Sequence, residues 1–240
     1  MVRINVKKEK LVDFSFMPSL KCTLVCPHCM YEASPNNKVV LDIKKTKRFI
    51  STIDFDKINA IGFYGGEISA DYGRYQRFID LVPKNVIKFT ITNGTWSASE
   101  SGIRKFIDFV QKNKLQVFIS TTKFHKPFQN SKILNKLAKK YNFILKGEDH
   151  IIPMGRAKKD KWTCSKKCLT YTCPMRLTLN PYGYVMFCNC DGVYPVVGTY
   201  NDDFNEIVKN GLNIRNFCEK LKREIPRRTI EIQKMSWKAV

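Results

Sequence analysis

The sequence predicts an α/β protein that forms a partial, TIM-like (β/α)6 barrel, followed by a small cysteine-rich module at the C-terminal end. Over residues 1–157, short runs of β-branched and aromatic residues alternate with amphipathic stretches, as in repeated βα units around a parallel sheet. After Gly155 the composition changes to basic segments bounded by cysteines. We therefore divide the 240-residue chain into a barrel domain, residues 1–157, and a module over residues 158–240.

Six candidate strands and four candidate helices make up the predicted barrel. The strands are predicted over Asp13–Leu20, Ile58–Tyr64, Val86–Thr92, Leu115–Thr121, Asn142–Lys146 and Ile151–Met154. The helices are predicted over Leu41–Ile53, Asp71–Leu81, Ser99–Lys112 and Ser131–Tyr141. A complete eight-unit barrel takes about 250 residues, so this one stays open on one side. In the module we expect a hairpin that turns at Pro181-Tyr182-Gly183 and a helix within Asp203–Leu221.

The charge of the chain is strongly basic, with 42 Lys and Arg against 21 Asp and Glu and a formal net charge of +21. Such a balance favours a polyanionic partner, such as a nucleic acid or nucleotide, or else reflects a lysine-rich surface without a partner. No apolar run reaches the roughly 18 residues of a membrane span, and the first residues lack the apolar stretch of a secretory signal. We expect a cytoplasmic protein without membrane contact.

Three of the nine cysteines form a tight group directly after the first candidate strand. Cys22, Cys26 and Cys29 are spaced C-x3-C-x2-C, and thiols so closely grouped in a reducing compartment more often bind metal than form disulfides. Three thiolates hold three irons of a cubane and leave the fourth iron open. Zinc fits less well, because it normally takes four protein ligands, or three that include His or a carboxylate. His28 as a fourth ligand keeps the zinc alternative open.

This segment resembles the signature of the radical S-adenosylmethionine (SAM) superfamily, in which His28 would occupy the aromatic position before the last cysteine. The resemblance implies a SAM-binding 4Fe-4S cluster on Cys22, Cys26 and Cys29. It also implies reductive cleavage of SAM to a 5′-deoxyadenosyl radical that abstracts hydrogen from a substrate. An external electron donor, such as a flavodoxin or ferredoxin, would reduce the cluster.

Four downstream segments are similar to family elements that border the SAM pocket, each at the end of a predicted strand or at the close of the barrel. They imply contacts to SAM from Gly65, Gly66, Glu67, Thr92, Asn93, Ser120 and Arg156. Paired glycines let the backbone approach a ligand closely, and the carboxylate of Glu67 would accept hydrogen bonds from the amino group of SAM. Thr121 and Thr122 depart from the apolar residue and Asp that many relatives carry after the serine, which leaves the substrate open.

The second cysteine group resembles the SPASM and twitch modules of the same superfamily, because Cys173, Gly183 and Cys188 match C-x9-15-G-x4-C. Five thiols compete for what are normally four positions on one auxiliary 4Fe-4S cluster: Cys164, Cys168, Cys173, Cys188 and Cys190. Only Cys218 remains of the further SPASM cysteines, so the module is closer to a twitch. A structural zinc on the same thiols is the alternative, since four thiolates suit either metal.

The function implied by the resemblance is that of a radical SAM enzyme acting on a peptide or protein, because enzymes with this auxiliary module mostly modify such substrates. The first alternative is modification of a nucleic acid or nucleotide, held by basic segments with aromatics at Lys123–Phe128 and at Arg156–Lys167 with Trp162. The second alternative is a non-enzymatic zinc-binding nucleic-acid module. No catalytic side chain that exchanges a second hydrogen is identified.

Overall fold

Eight strands form one sheet in the computed structural model, which describes residues 12–147, 155–156, 175–187 and 195–213. They are β1 (Val12–Phe16), β2 (Ile58–Phe63), β3 (Lys88–Thr92), β4 (Leu115–Ser120), β5 (Ile144–Lys146), β6 (Met175–Leu179), β7 (Tyr184–Phe187) and β8 (Val196–Thr199). Their spatial order is β5-β4-β3-β2-β1-β6-β7-β8. The first five predicted strands are thereby confirmed, and the sixth, Ile151–Met154, lies outside the described residues.

Four helices follow β1, β2, β3 and β4 in turn, and they confirm the predicted βα alternation. They are α1 (Ile43–Ile50), α2 (Tyr72–Ile79), α3 (Glu100–Lys112) and α4 (Ser131–Tyr141). Each begins after a polar side chain that accepts hydrogen bonds from free backbone N–H groups of the first turn, as helix N-caps do. These caps are Asp42, Asp71, Ser99 and Asn130. A further helical stretch, α5, covers residues 204–213 within the helix predicted near the C-terminus.

The strands β1 to β5 pair in parallel, so their carboxyl ends lie along the same edge of the sheet. The register places Phe16 opposite Phe63 and Thr92 opposite Ile119. Residues that follow β1, β2, β3 and β4 therefore come together at this edge, although long stretches of sequence separate them. The SAM-contact residues that the sequence predicts, apart from Arg156, all lie at or directly after these strand ends.

The predicted hairpin is confirmed and extends the sheet of the barrel. Strand β6 pairs in parallel with the free edge of β1, and β7 returns antiparallel to β6. Gly183 has a φ of +88° in the turn, and a Cβ at this position would lie 2.3 Å from the Tyr200 ring. Buried Leu177 and Leu179 belong to the same apolar core as the barrel strands. One sheet thus runs through both parts of the chain that composition separates.

Aromatic side chains from α1 and α5 pack against β1 in the core. The Phe14 ring lies 5.0 Å from Phe16, 5.8 Å from Phe49 of α1 and 5.8 Å from Phe204 of α5, measured between ring centroids. Aromatic pairs at these separations add to the stabilisation that burial provides. This packing holds β1 in place, and the cysteine segment follows its carboxyl end.

Tyr75 of α2 lies wholly inside this core, and its hydroxyl oxygen has no hydrogen-bond partner among the described residues. Burial raises the pKa of Tyr75 well above its ordinary value. A buried hydroxyl without a partner costs about 1–3 kcal/mol.

We expect Tyr75→Phe to raise the free energy of unfolding by about 1 kcal/mol, measured by denaturant titration. Tyr182→Phe, at an exposed turn, is the control and is expected to change it by less than about 0.5 kcal/mol. A loss of stability in Tyr75→Phe would contradict this interpretation.

Candidate active site

A cavity of about 250 Å³ opens at the carboxyl edge of the parallel strands. It is lined by the first cysteine group and by the residues that follow β2, β3 and β4. Every SAM-contact and first-cluster residue predicted from the sequence is among its lining residues: Cys22, Cys26, Cys29, Gly65, Gly66, Glu67, Thr92, Asn93, Ser120 and Arg156. The structure therefore brings together residues from segments as far apart in the sequence as Cys22 and Arg156.

The segment that carries the three cysteines, which we call the thiol loop (residues 20–34), is closed by backbone hydrogen bonds between its two ends. Cys22 N donates to Ser34 O at 3.0 Å, and Ser34 N donates to Leu20 O at 3.2 Å. Within the loop, Cys29 N donates to Cys26 O at 3.1 Å. These bonds hold the two ends of the loop together, and all three of its cysteines line the cavity.

The thiols lie close enough to influence one another's ionisation. Burial raises the pKa of the Cys22 thiol, and burial raises that of Cys26 to about 12, with Cys22 and Cys29 adding to the rise and the Arg156 guanidinium opposing it. Thiols with such pKa values stay protonated at neutral pH until a metal displaces the proton. Metal binding here would therefore release protons.

The three thiols of the first cysteine group match the ligand set of a cubane cluster. Within the described residues, no three His, Cys, Asp or Glu side chains are gathered as ligands of one ion. In a cubane each thiolate binds a different iron, so its three thiolates surround a space rather than converge on a point. Cys22, Cys26 and Cys29 all line one cavity, and three thiols are the protein ligands that such a 4Fe-4S cluster takes.

The glycine pair after β2 brings this strand end against the chain that enters the thiol loop. Gly66 N donates to Ser19 O at 2.8 Å, and Glu67 N donates to Lys21 O at 2.9 Å. A Cβ on Gly66 would lie 1.9 Å from Lys21 O, and Gly65 has a φ of +141°. The sequence predicted that the two glycines let the backbone approach a ligand closely. The structure gives a second reason for glycine here, because this backbone also lies against the backbone of Ser19 and Lys21.

Glu67 is the most deeply buried carboxylate at the site, with 1% of its surface exposed. Its Oε1 accepts hydrogen bonds from Thr92 Oγ1 at 2.7 Å, Ser69 Oγ at 2.9 Å and Ser69 N at 3.2 Å, and its Oε2 accepts one from Asn93 N at 2.7 Å. Burial raises the pKa of Glu67, and these hydrogen bonds oppose the rise. The carboxylate thus joins the ends of β2 and β3. Its predicted bond to the amino group of SAM stays a prediction.

Two further side chains, which sequence reasoning missed, support the same strand ends. Trp96 Nε1 donates to Thr92 Oγ1 at 3.0 Å, and Gln129 Nε2 donates to the carbonyls of Asn93 at 2.5 Å and Ser120 at 2.6 Å. Trp96 lies four residues after Thr92, and this spacing in the sequence only weakly indicates that the two side chains are in contact. Gln129 bridges β3 and β4 from a loop, and no local pattern in the sequence marks it.

Arg156 contacts the thiol loop at three points. Its Nε donates to Cys26 O at 2.8 Å, its Nη2 donates to Ala33 O at 2.6 Å, and its backbone N donates to Cys29 O at 3.1 Å. The preceding Gly155 has a φ of +54°, and a Cβ there would lie 2.5 Å from Met30 O. Arg156 thus lines the cavity and also holds the loop that carries the cysteines, and its contact to SAM stays a prediction.

His28 and the basic aromatic segment Lys123–Phe128 lie beside each other at the cavity. The His28 ring stacks on Phe124 at 4.1 Å between centroids and packs edge-on to His125 at 5.4 Å. Of the aromatics in this segment, Phe128 is 53% exposed, whereas Phe124 packs on His28. The segment therefore closes one side of the cavity and presents Phe128 at the surface.

The second cysteine group lies outside the described residues, together with Trp162 and Cys218. The positions concerned are Cys164, Cys168, Cys173, Cys188 and Cys190. The auxiliary cluster and its zinc alternative therefore stay predictions.

The structure resembles that of BtrN in complex with AdoMet and 2-DOIA, with a TM-score of 0.60, 12% sequence identity and 88% of each chain covered. Histidine-tagged anSMEcpe with bound AdoMet aligns with a TM-score of 0.49 and 14% identity over 84% of this chain and 79% of that chain. Streptococcus suis SuiB bound to S-adenosylmethionine aligns with 0.43 and 11% over 87% and 68%. No family model and no curated protein matches the sequence. The likeness to BtrN confirms the predicted α/β partial-barrel fold.

No helix in the part of the chain that the structure describes has the length and apolarity needed to cross a lipid bilayer.

Proposed function

We propose that the chain is a radical SAM enzyme, in which Cys22, Cys26 and Cys29 bind a 4Fe-4S cluster and the adjoining cavity binds SAM. The observation that carries the proposal is the convergence of these three thiols on one cavity with Glu67 and Asn93 at the carboxyl edge of the sheet. The fold supports it, because the structure of BtrN that this chain resembles holds AdoMet.

Some residues of the site would hold the cluster, and others would hold SAM. When bound and reduced, the cluster supplies the electron that cleaves SAM to methionine and a 5′-deoxyadenosyl radical. The thiol loop, held by Arg156 and by the backbone at Gly66, presents the three thiolates. Thr92, Asn93 and Ser120 line the cavity from the ends of β3 and β4 and would contact SAM.

For the substrate we propose a peptide or protein, on the strength of the twitch-like spacing of Cys173, Gly183 and Cys188. We also propose the twitch module, its auxiliary 4Fe-4S cluster and an external electron donor that reduces the enzyme. Modification of a nucleic acid or nucleotide is the second candidate. It is favoured by the net charge of +21 and by the exposed Phe128 near Lys123 and Lys126.

The proposal is tested by anaerobic reconstitution with iron and sulfide, followed by addition of dithionite and SAM. We expect a brown protein that binds at least about four irons per chain and forms 5′-deoxyadenosine. Cys26→Ala is expected to reduce 5′-deoxyadenosine to background, because a cubane loses one of its three protein ligands. Cys218→Ala, which removes the cysteine outside both groups, is the matched control and is expected to keep the activity.

The metal content of the protein tests the zinc alternative and the auxiliary cluster. A colourless protein that binds only zinc would contradict the proposal and support the zinc-binding module. Iron retained by the variant that lacks Cys22, Cys26 and Cys29 would support the auxiliary cluster, since the remaining cysteines would then hold it.

A further inference from the structure

Asn93 lies at the cavity between the end of β3 and the thiol loop, and its side chain reaches the sulfur of Cys22. Its Nδ2 lies 3.6 Å from Cys22 Sγ and 3.0 Å from Thr23 Oγ1. A separation of 3.6 Å is within the range of an N–H···S hydrogen bond, because sulfur is larger than oxygen. The residue as a whole is 8% exposed, so water competes little for these contacts.

The orientation of the Asn93 amide follows from its neighbours. Thr95 N, which is always a donor, lies 3.1 Å from Asn93 Oδ1, so this end of the amide is the oxygen and the opposite end is the NH2 group. Thr95 Oγ1 also donates to Oδ1 at 2.9 Å. The NH2 group therefore faces Thr23 and Cys22.

A closed ring of hydrogen bonds leaves one amide hydrogen for the sulfur. Because Thr95 Oγ1 uses its hydrogen on Asn93 Oδ1, the 2.8 Å contact between Thr23 and Thr95 requires the Thr23 hydroxyl to donate. Thr23 Oγ1 then accepts the first hydrogen of Asn93 Nδ2. The second hydrogen of Nδ2 has Cys22 Sγ as its partner.

The backbone of Asn93 is held as firmly as its side chain. Its N–H donates to the buried Glu67 carboxylate at 2.7 Å, and its carbonyl accepts from Gln129 Nε2 at 2.5 Å. Asn93 thus presents a side-chain donor in a fixed position to the Cys22 sulfur.

We propose that Asn93 is a positioning residue that sets the reduction potential of the first cluster by donating an N–H···S hydrogen bond to Cys22. This inference rests on the proposed function, because it requires a cluster on Cys22. Reduction adds one electron to the cluster and increases the negative charge on its sulfurs. A hydrogen-bond donor stabilises the more negative state and therefore makes the cluster easier to reduce.

The test is an EPR-monitored redox titration of the reconstituted protein with the Asn93→Ala variant. We expect the equilibrium constant for one-electron reduction to fall about tenfold in the variant, a shift of about 59 mV to lower potential. Thr23→Val is the matched control, because it removes the other acceptor of Nδ2 and leaves Asn93 held by Thr95 N. Its equilibrium constant is expected to stay within about twofold of wild type.

A direct measurement covers the case in which Asn93→Ala does not retain a cluster. Wild-type protein labelled with 15N-asparagine is expected to show a 15N coupling in pulsed EPR of the reduced cluster. The nearly isosteric Asn93→Asp variant is expected to lack this coupling and to have a lower potential. No 15N coupling in wild type, or shifts of equal size in Asn93→Ala and Thr23→Val, would overturn the inference while leaving the proposed function intact. A wild-type protein that binds no cluster would overturn both.

Discussion

Replacing Glu67 by alanine is expected to lower the free energy of unfolding by about 3 kcal/mol or more and to prevent retention of the cluster. The change removes the acceptor of four hydrogen bonds, two of them from the backbone N–H groups of Ser69 and Asn93. Buried donors left without a partner cost about 1–3 kcal/mol each. Denaturant titration and the iron content of the reconstituted protein measure the two effects.

The nearly isosteric Glu67→Gln separates the loss of hydrogen bonds from the loss of volume. Glutamine keeps one acceptor oxygen but turns an NH2 group toward the donors on the other side. We expect an intermediate loss of about 1–2 kcal/mol. Glu100→Ala, at an exposed position in the first turn of α3, serves as the control with an expected change of at most about 0.5 kcal/mol. A Glu67→Ala protein as stable as wild type would refute the structural role assigned to this carboxylate.

Glu67 illustrates how far the sequence predicts the site. The resemblance of Gly65, Gly66 and Glu67 to a family element at the end of a strand placed Glu67 at the site, and Glu67 lines the cavity in the structure. Its protein partners were not predictable in this way. They depend on the register in which Phe63 pairs with Thr90, and this long-range pairing leaves no local pattern in the sequence.

The fold shows the same division between local and long-range information. The six residues of β2 are all buried and all but Asn59 are apolar or glycine, which is typical of a parallel strand covered on both faces. The turn at Gly183 was predictable because its positive φ favours glycine. The pairing of β6 with β1 was not, because the change in composition near Gly155 indicated a separate module. In the structure β6 pairs with β1, and Leu177 and Phe14 lie in one continuous core.

Gly66→Ala is expected to lower the free energy of unfolding by about 3 kcal/mol and to displace the thiol loop. The added Cβ would lie 1.9 Å from Lys21 O and 2.5 Å from Lys21 C. Both are backbone atoms, so no side-chain rotation relieves the overlap. The hydrogen bonds from Gly66 N to Ser19 O and from Glu67 N to Lys21 O hold the two segments together at this distance. Thermal unfolding and iron content of the reconstituted variant measure the result.

Gly73→Ala provides the matched control, because a Cβ on Gly73 of α2 would meet nothing within 4 Å. Gly73 is the second residue of α2, where alanine is accommodated as well as glycine, so this variant is expected to be at least as stable as wild type. The two substitutions add the same methyl group at nearby positions in the sequence and differ only in what surrounds it. A Gly66→Ala protein that matches Gly73→Ala in stability and iron content would show that β2 does not hold the thiol loop. If only Gly66→Ala loses both, the backbone contact between these segments is what positions Cys22 for the cluster.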